Sequence, residues 1–146
     1  MIDVTQSGPS PRGCTRKRLA GAVKSAFVAA RRNPRGSVAL RFVTEKEIAS
    51  LNRRYCGKDR PTDVLSFASP DGWAGRSEAK EWGDIIVAAS VAARNAKKVD
   101  IRPSDEVVRL VAHGTLHLLG FDHATPKDER RMIRIQERAV TNTLRV

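Results

Sequence analysis

Apolar positions along this chain keep two distinct periods. Leu19, Ala22, Val23, Ala26, Phe27 and Ala30 hold a helical spacing behind Thr15, whose hydroxyl suits an N-cap, and Asn33-Pro34-Arg35-Gly36 predicts the stop. Val38, Leu40 and Phe42 alternate with Ala39 and Arg41, which predicts a strand with one buried face. Thr44 and Glu47 have capping-box spacing and open a short helix through Ile48 and Leu51. Ile2-Asp3-Val4 reads as a short first strand, followed by a loop through Gly13. Thr62–Phe67 reads as another strand, and Gly83–Val87 as the central one. Between them, residues 69–81 carry Pro70, Asp71, Gly72 and Gly75 and predict an exposed loop, with Trp73 either at the rim of a site or packing the loop down. A helix is expected from Ala88 to Lys98. Ser104 is expected to cap the next, with Val107, Val108, Leu110, Val111, Leu116, Leu118 and Leu119 as its apolar content. Thr125-Pro126 opens the last, threonine as cap and proline at the first helical position. The expected architecture is α+β: a single domain over 1–146, with a small mixed sheet and helices packed on it. Strand order does not follow from the pattern.

The chemistry concentrates in the penultimate helix. All three histidines of the chain, His113, His117 and His123, lie in one eleven-residue stretch. Residues four apart share a helix face, so His113 and His117 can reach one ion. A continuing helix would carry His123 roughly 240° around and about 9 Å further along. Gly120 intervenes, and a glycine in the left-handed conformation can end the helix and return His123 to the ion. The ligand frame is zincin-like, matching His-Glu-x-x-His-x-x-Gly-x-x-His except that Gly114 stands where metalloproteases keep their general-base glutamate. Three protein ligands plus an open position is the usual catalytic zinc arrangement, so one zinc ion is expected. Copper, nickel and iron also suit imidazole.

Charge then narrows the partners. The net charge is +11, with 14 basic against 4 acidic residues in 1–60 and 13 against 12 in the remainder. The excess sits in the half without histidines. A positive field of this size favours polyanions, whose condensed counterions are released on binding, over an anionic membrane. No apolar run approaches the roughly 18 residues of a membrane span. Met1–Arg18 lacks the apolar stretch of a secretory signal, so export is not indicated. Cys14 and Cys56 have no partner at ligand spacing and read as two reduced thiols in a cytosolic protein.

Several segments together resemble the YbeY family of bacterial rRNA-maturation factors, regarded as metal-dependent endoribonucleases. Leu51-Asn52, Tyr55, Gly57-Lys58-Asp59 and Pro61–Phe67 look like its first signature block, Gly83-Asp84-Ile85 like its second, and His113–His123 with Glu106 upstream like its metal signature. The resemblance implies that His113, His117 and His123 ligate zinc, and that the partners are ribosomal RNA and the ribosome in rRNA maturation and quality control. One position departs: the family arginine that follows the tyrosine is Cys56 here, with Arg53, Arg54 and Arg60 as nearby substitutes.

Water on a zinc ion so held has its pKa lowered towards about 7, and the ion polarises a phosphoryl oxygen. Either direct attack on phosphorus or activation of the ribose 2′-hydroxyl is open. Asp122, beside the third ligand, is the catalytic candidate for orienting a histidine or assisting proton transfer, and equally a turn-capping residue. Asp84 and Glu106 are candidate acceptors for histidine N–H groups. Thr62 and Ser66 are candidate phosphate contacts, and Lys58 and Arg60 candidate RNA contacts. The expected activity is single-strand-selective RNA cleavage. A ribosome-associated RNA-binding factor with structural zinc is the main alternative, and a peptide or amide hydrolase is disfavoured by Gly114 and the charge.

Overall fold

The computed structural model describes residues 1–69 and 80–145. In chain order the elements are β1 (Ile2–Ser7), α1 (Arg16–Ala29), β2 (Gly36–Val43), α2 (Glu45–Cys56), β3 (Val64–Ala68), β4 (Glu81–Ala88), α3 (Ala89–Lys98), α4 (Pro103–Leu118) and α5 (Pro126–Leu144). The four strands form one mixed sheet in the order β1-β2-β4-β3. β1 runs parallel to β2, β2 parallel to β4, and β3 antiparallel to β4. The expected α+β architecture is the one observed.

β4 is an interior strand, and its alternation shows why the run is so apolar. Ile85 and Val87 enter the main core, while Ile86 and Ala88 join Ile48 of α2 and Val91 of α3 in a smaller cluster. Residues 85–88 are covered on both faces and so have no polar side to show, whereas Glu81 and Asp84 earlier in the strand are exposed. The main core joins the inward faces of α1, α4 and α5 to the sheet through Leu19, Phe27, Leu40, Val108, Leu116 and Met132. Thr15 and Thr44 cap α1 and α2 as their positions predict, the second through a complete capping box, and Thr125 caps α5.

Several boundaries differ from expectation. Ser104 does not cap α4: Arg102 is the N-cap without a side-chain bond and Pro103 opens the helix. Proline has its φ already set for the first helical turn and lacks the N–H that a cap would serve, so it claims that place. β1 runs three residues further than Ile2-Asp3-Val4, and β4 begins at Glu81, inside the stretch expected to be loop. Residues 70–79, including Trp73, lie outside the described residues. α1 stops before Asn33-Pro34: Arg31 takes a left-handed φ of 59°, while the N–H groups of Arg31 and Arg32 donate to the carbonyls of Val28 and Phe27.

Candidate metal centre

α4 presents His113 and His117 one turn apart on its half-buried edge, and its C-terminus supplies the turn that the third histidine needs. Gly120 adopts φ +96°, the Gly120 N–H donates to the His117 carbonyl at 3.0 Å and the Phe121 N–H to Leu116 at 3.0 Å. This pair of bonds is a Schellman stop. The chain reverses and the exposed His123 comes back against the helix. Ring centroids lie 4.5 Å apart for His113–His117, 5.3 Å for His117–His123 and 6.1 Å for His113–His123.

One ligand atom from each ring lies within 4.8 Å of the other two, so the three side chains form a group able to hold a metal ion. His113 Nε2 and His117 Nε2 are 3.0 Å apart. Tetrahedral coordination at 2.0–2.1 Å would set such nitrogens about 3.3 Å apart, so the donor set fits an ion with only small ring movements. Burial, followed by the charges of His113 and His123, pulls the His117 pKa below its ordinary value of 6.5. A neutral ring is the form that ligates.

The tautomer of His113 is fixed from α5. Its Nδ1 lies 2.7 Å from Gln136 Oε1, while Gln136 Nε2 donates to Glu137 Oε2 at 3.1 Å. The amide orientation is therefore set by the carboxylate, and an amide oxygen can only accept. His113 must donate from Nδ1, which leaves Nε2 bare and facing His117. Glu137 is gripped in turn by Arg109, Nε to Oε2 at 2.9 Å and Nη2 to Oε1 at 3.0 Å, and Arg109 also reaches Glu106 Oε1 at 3.2 Å. The Arg109 hydrogen bond holds the Glu137 carboxyl below its ordinary range, whereas burial pushes Glu106 up. Glu106 is thus the far end of a chain leading to His113 and not its direct acceptor. Asp84 is exposed on β4 beside a different cleft, with Asp3 and Thr5, and bonds no histidine. Gln136 was missed by sequence reasoning. Its signal was a lone amide in the apolar stripe Met132, Ala139, Val140 of α5.

Gly114 explains the absent protease glutamate. A Cβ there would lie 2.8 Å from Ile85 Cγ2 and 2.9 Å from Ser66 Oγ, so the position faces the sheet with no space for a side chain. Ser66 spends its hydroxyl on the Gly114 carbonyl at 3.2 Å and thereby ties β3 to the metal helix. Asp122 is exposed, and its Oδ1 accepts from the Ala124 N–H at 3.2 Å, the turn-capping role.

The histidines open into a cleft of about 480 Å³, walled by Thr62–Ser66 and Leu118. A neighbouring cleft of about 530 Å³ shares Thr62, Asp63 and Leu65 with it and is lined by Cys56, Lys58 and Arg60. Lys58 and Arg60 therefore line a cleft that adjoins the histidine cleft.

The family model described as Endoribonuclease YbeY matches residues 12–144. The chain belongs to the YbeY family. Among curated relatives, the Endoribonuclease YbeY of Frankia alni is 37% identical over 132 residues, covering 86% of this chain and 73% of that protein. The Thermobifida fusca relative is 37% identical over 139 residues, covering 92% and 88%. The solution structure of TM1509 from Thermotoga maritima superposes with a TM-score of 0.64 at 28% identity, covering 98% of this chain and 89% of that one. Tyr55, expected to belong to the first signature block, has its ring edge-on to Phe67 of β3 at 5.3 Å. Of the cations near Cys56, Arg53 faces Asp59 at 3.9 Å and Arg54 lies beside the Tyr55 ring. Arg60 alone among these substitutes lines the cleft with Cys56, and its carbonyl is held by Asn52 Nδ2 at 3.0 Å.

Proposed function

We propose that this protein is a zinc-dependent endoribonuclease that cleaves single-stranded segments of ribosomal RNA, acting in rRNA maturation and ribosome quality control in the cytoplasm. The observation that carries the reading is the convergence of His113, His117 and His123 in the lining of an open cleft, in a chain whose relatives are named endoribonucleases. His113, His117 and His123 would hold one ion, which would supply Lewis acidity towards a phosphoryl oxygen and towards water. The protein's own groups do the rest. Gln136 holds His113 in the ligating tautomer, the Gly120 turn holds His123 in place, and Lys58 and Arg60 draw the phosphodiester towards the cleft. Asp122, next to His123 in the chain, caps the turn after α4 through its Oδ1 and so helps to hold that ligand's segment. Single strands are favoured because A-form duplexes hide their base edges in a deep, narrow groove.

A labelled single-stranded RNA, incubated with the zinc-loaded protein, should be cut, and cutting should cease on chelation and in an identically purified His117→Ala variant. Cleavage that survives both treatments would mark a contaminating ribonuclease and sink the reading. The second reading, an RNA-binding factor with structural zinc, draws on Cys56 standing at the family's arginine position. It gains if RNA is bound tightly and never cut.

A further inference from the structure

α5 carries arginine on a face that the metal centre does not use. Arg131, Arg134 and Arg138 follow three-and-four spacing, so they share one exposed stripe spanning roughly 10 Å of helix axis. They meet Arg31, at the left-handed end of α1, around a cavity of about 300 Å³ floored by Ala29, Ala30 and Ile135. Among the described residues no carboxylate lines this cavity, and none of the four arginines forms a salt bridge. Three arginines of α5 and one just past the end of α1 therefore line one concave site with no negative partner among the described residues.

The chemistry of the set is specific. All four cations are arginine, whose planar fork matches phosphate oxygens in pairs, as the point charge of lysine does not. The stripe also connects with the metal centre: the Arg131 guanidinium lies 5.6 Å from the Phe121 ring centroid, and Phe121 is two residues before His123.

We propose that the arginine-lined depression between α1 and α5 binds the phosphodiester backbone of an RNA strand, as a second contact region separate from the Lys58–Arg60 approach. The proposal rests on the endoribonuclease reading for its choice of polyanion. An acidic protein segment or an anionic lipid surface is the competing occupant, and the concavity favours a strand over a flat membrane.

The test is anisotropy of a labelled, unstructured RNA of about 20 nucleotides with the full-length protein, under chelation so that the strand stays intact, across a salt series. Leaving two phosphates of a single strand without their arginines lowers the slope of log affinity against log salt by about 1.4, so the deficit of Arg134→Gln/Arg138→Gln should shrink roughly sevenfold between about 50 and 200 mM salt. Arg134→Lys/Arg138→Lys should keep the wild-type slope, and Arg31→Gln, from the other helix, should lose about half as much. Circular dichroism establishes that each variant is folded. An unchanged slope and affinity in both glutamine variants would overturn the proposal. So would a loss confined to polyglutamate or to phosphatidylglycerol vesicles. If the wild type cuts RNA and the glutamine variants bind it normally, only the second contact region falls. If the wild type neither binds nor cuts RNA, the endoribonuclease reading falls and this proposal with it.

Discussion

Replacing Gln136 with alanine should weaken metal binding more than it weakens the fold. Gln136 is 8% exposed, and its side chain accepts from His113 Nδ1 at 2.7 Å while its amide nitrogen donates to Glu137. Truncation leaves the His113 N–H without its acceptor and frees the ring to rotate or to move its proton to Nε2, the atom that faces His117. An unsatisfied polar group costs about 1–3 kcal/mol when buried, and His113 is only half-buried, so water recovers part of this. Removing the acceptor of a ligating histidine typically costs about 10–100-fold in metal affinity, or about 1.4–2.8 kcal/mol. Competition with a chromophoric zinc chelator at neutral pH reads the affinity, and urea denaturation of the metal-free protein reads the fold. Met132→Ala is the control. It lies on the same buried stripe one turn earlier, and its loss should cost about 2–5 kcal/mol of stability without changing zinc affinity. Wild-type zinc affinity in Gln136→Ala, or an equal affinity loss in Met132→Ala, would refute the assigned role.

Gly114→Ala should destabilise the protein by about 1–3 kcal/mol, because its Cβ would press on Ile85 and Ser66; an unshifted urea midpoint would show that the helix has room there. Glu137→Gln should lose stability at neutral pH, and the gap to wild type should close in acid. The carboxyl is held below its ordinary 4.5, so its contribution is complete above the unfolded pKa and disappears as pH falls through the lower folded value. Glu106, pushed up by burial, acts with the opposite sign and is relieved by acid at higher pH, so denaturation of both proteins across pH 3–7 separates the two. Cys56→Arg would add a cation to a cleft already lined by Lys58 and Arg60, and should raise the rate of RNA cutting; an unchanged rate would refute a need for a cation at this position.

What the chain's local order determined is the ligand frame. Helical spacing set His113 above His117, and the glycine after them permitted the left-handed stop that returns His123; both are properties of a few consecutive residues, so no distant contact could easily overrule them. Element types followed for the same reason, through alternation in β2 and the capping threonines. Errors fell where two local signals competed, as when Pro103 took the first helical position and left Ser104 without its capping role. Only the tertiary structure decided the rest. The strand order, the pairing of Gln136 with a histidine 23 residues away and the meeting of Arg31 with the α5 arginines all depend on how helix faces pack against one sheet. The charge count assigned the positive excess to the first 60 residues, yet folding brings a cation from that segment against arginines from the last helix. Sequence separation carries no information about such neighbours, because burial of apolar stripes fixes them and the polar groups they carry arrive together as a consequence.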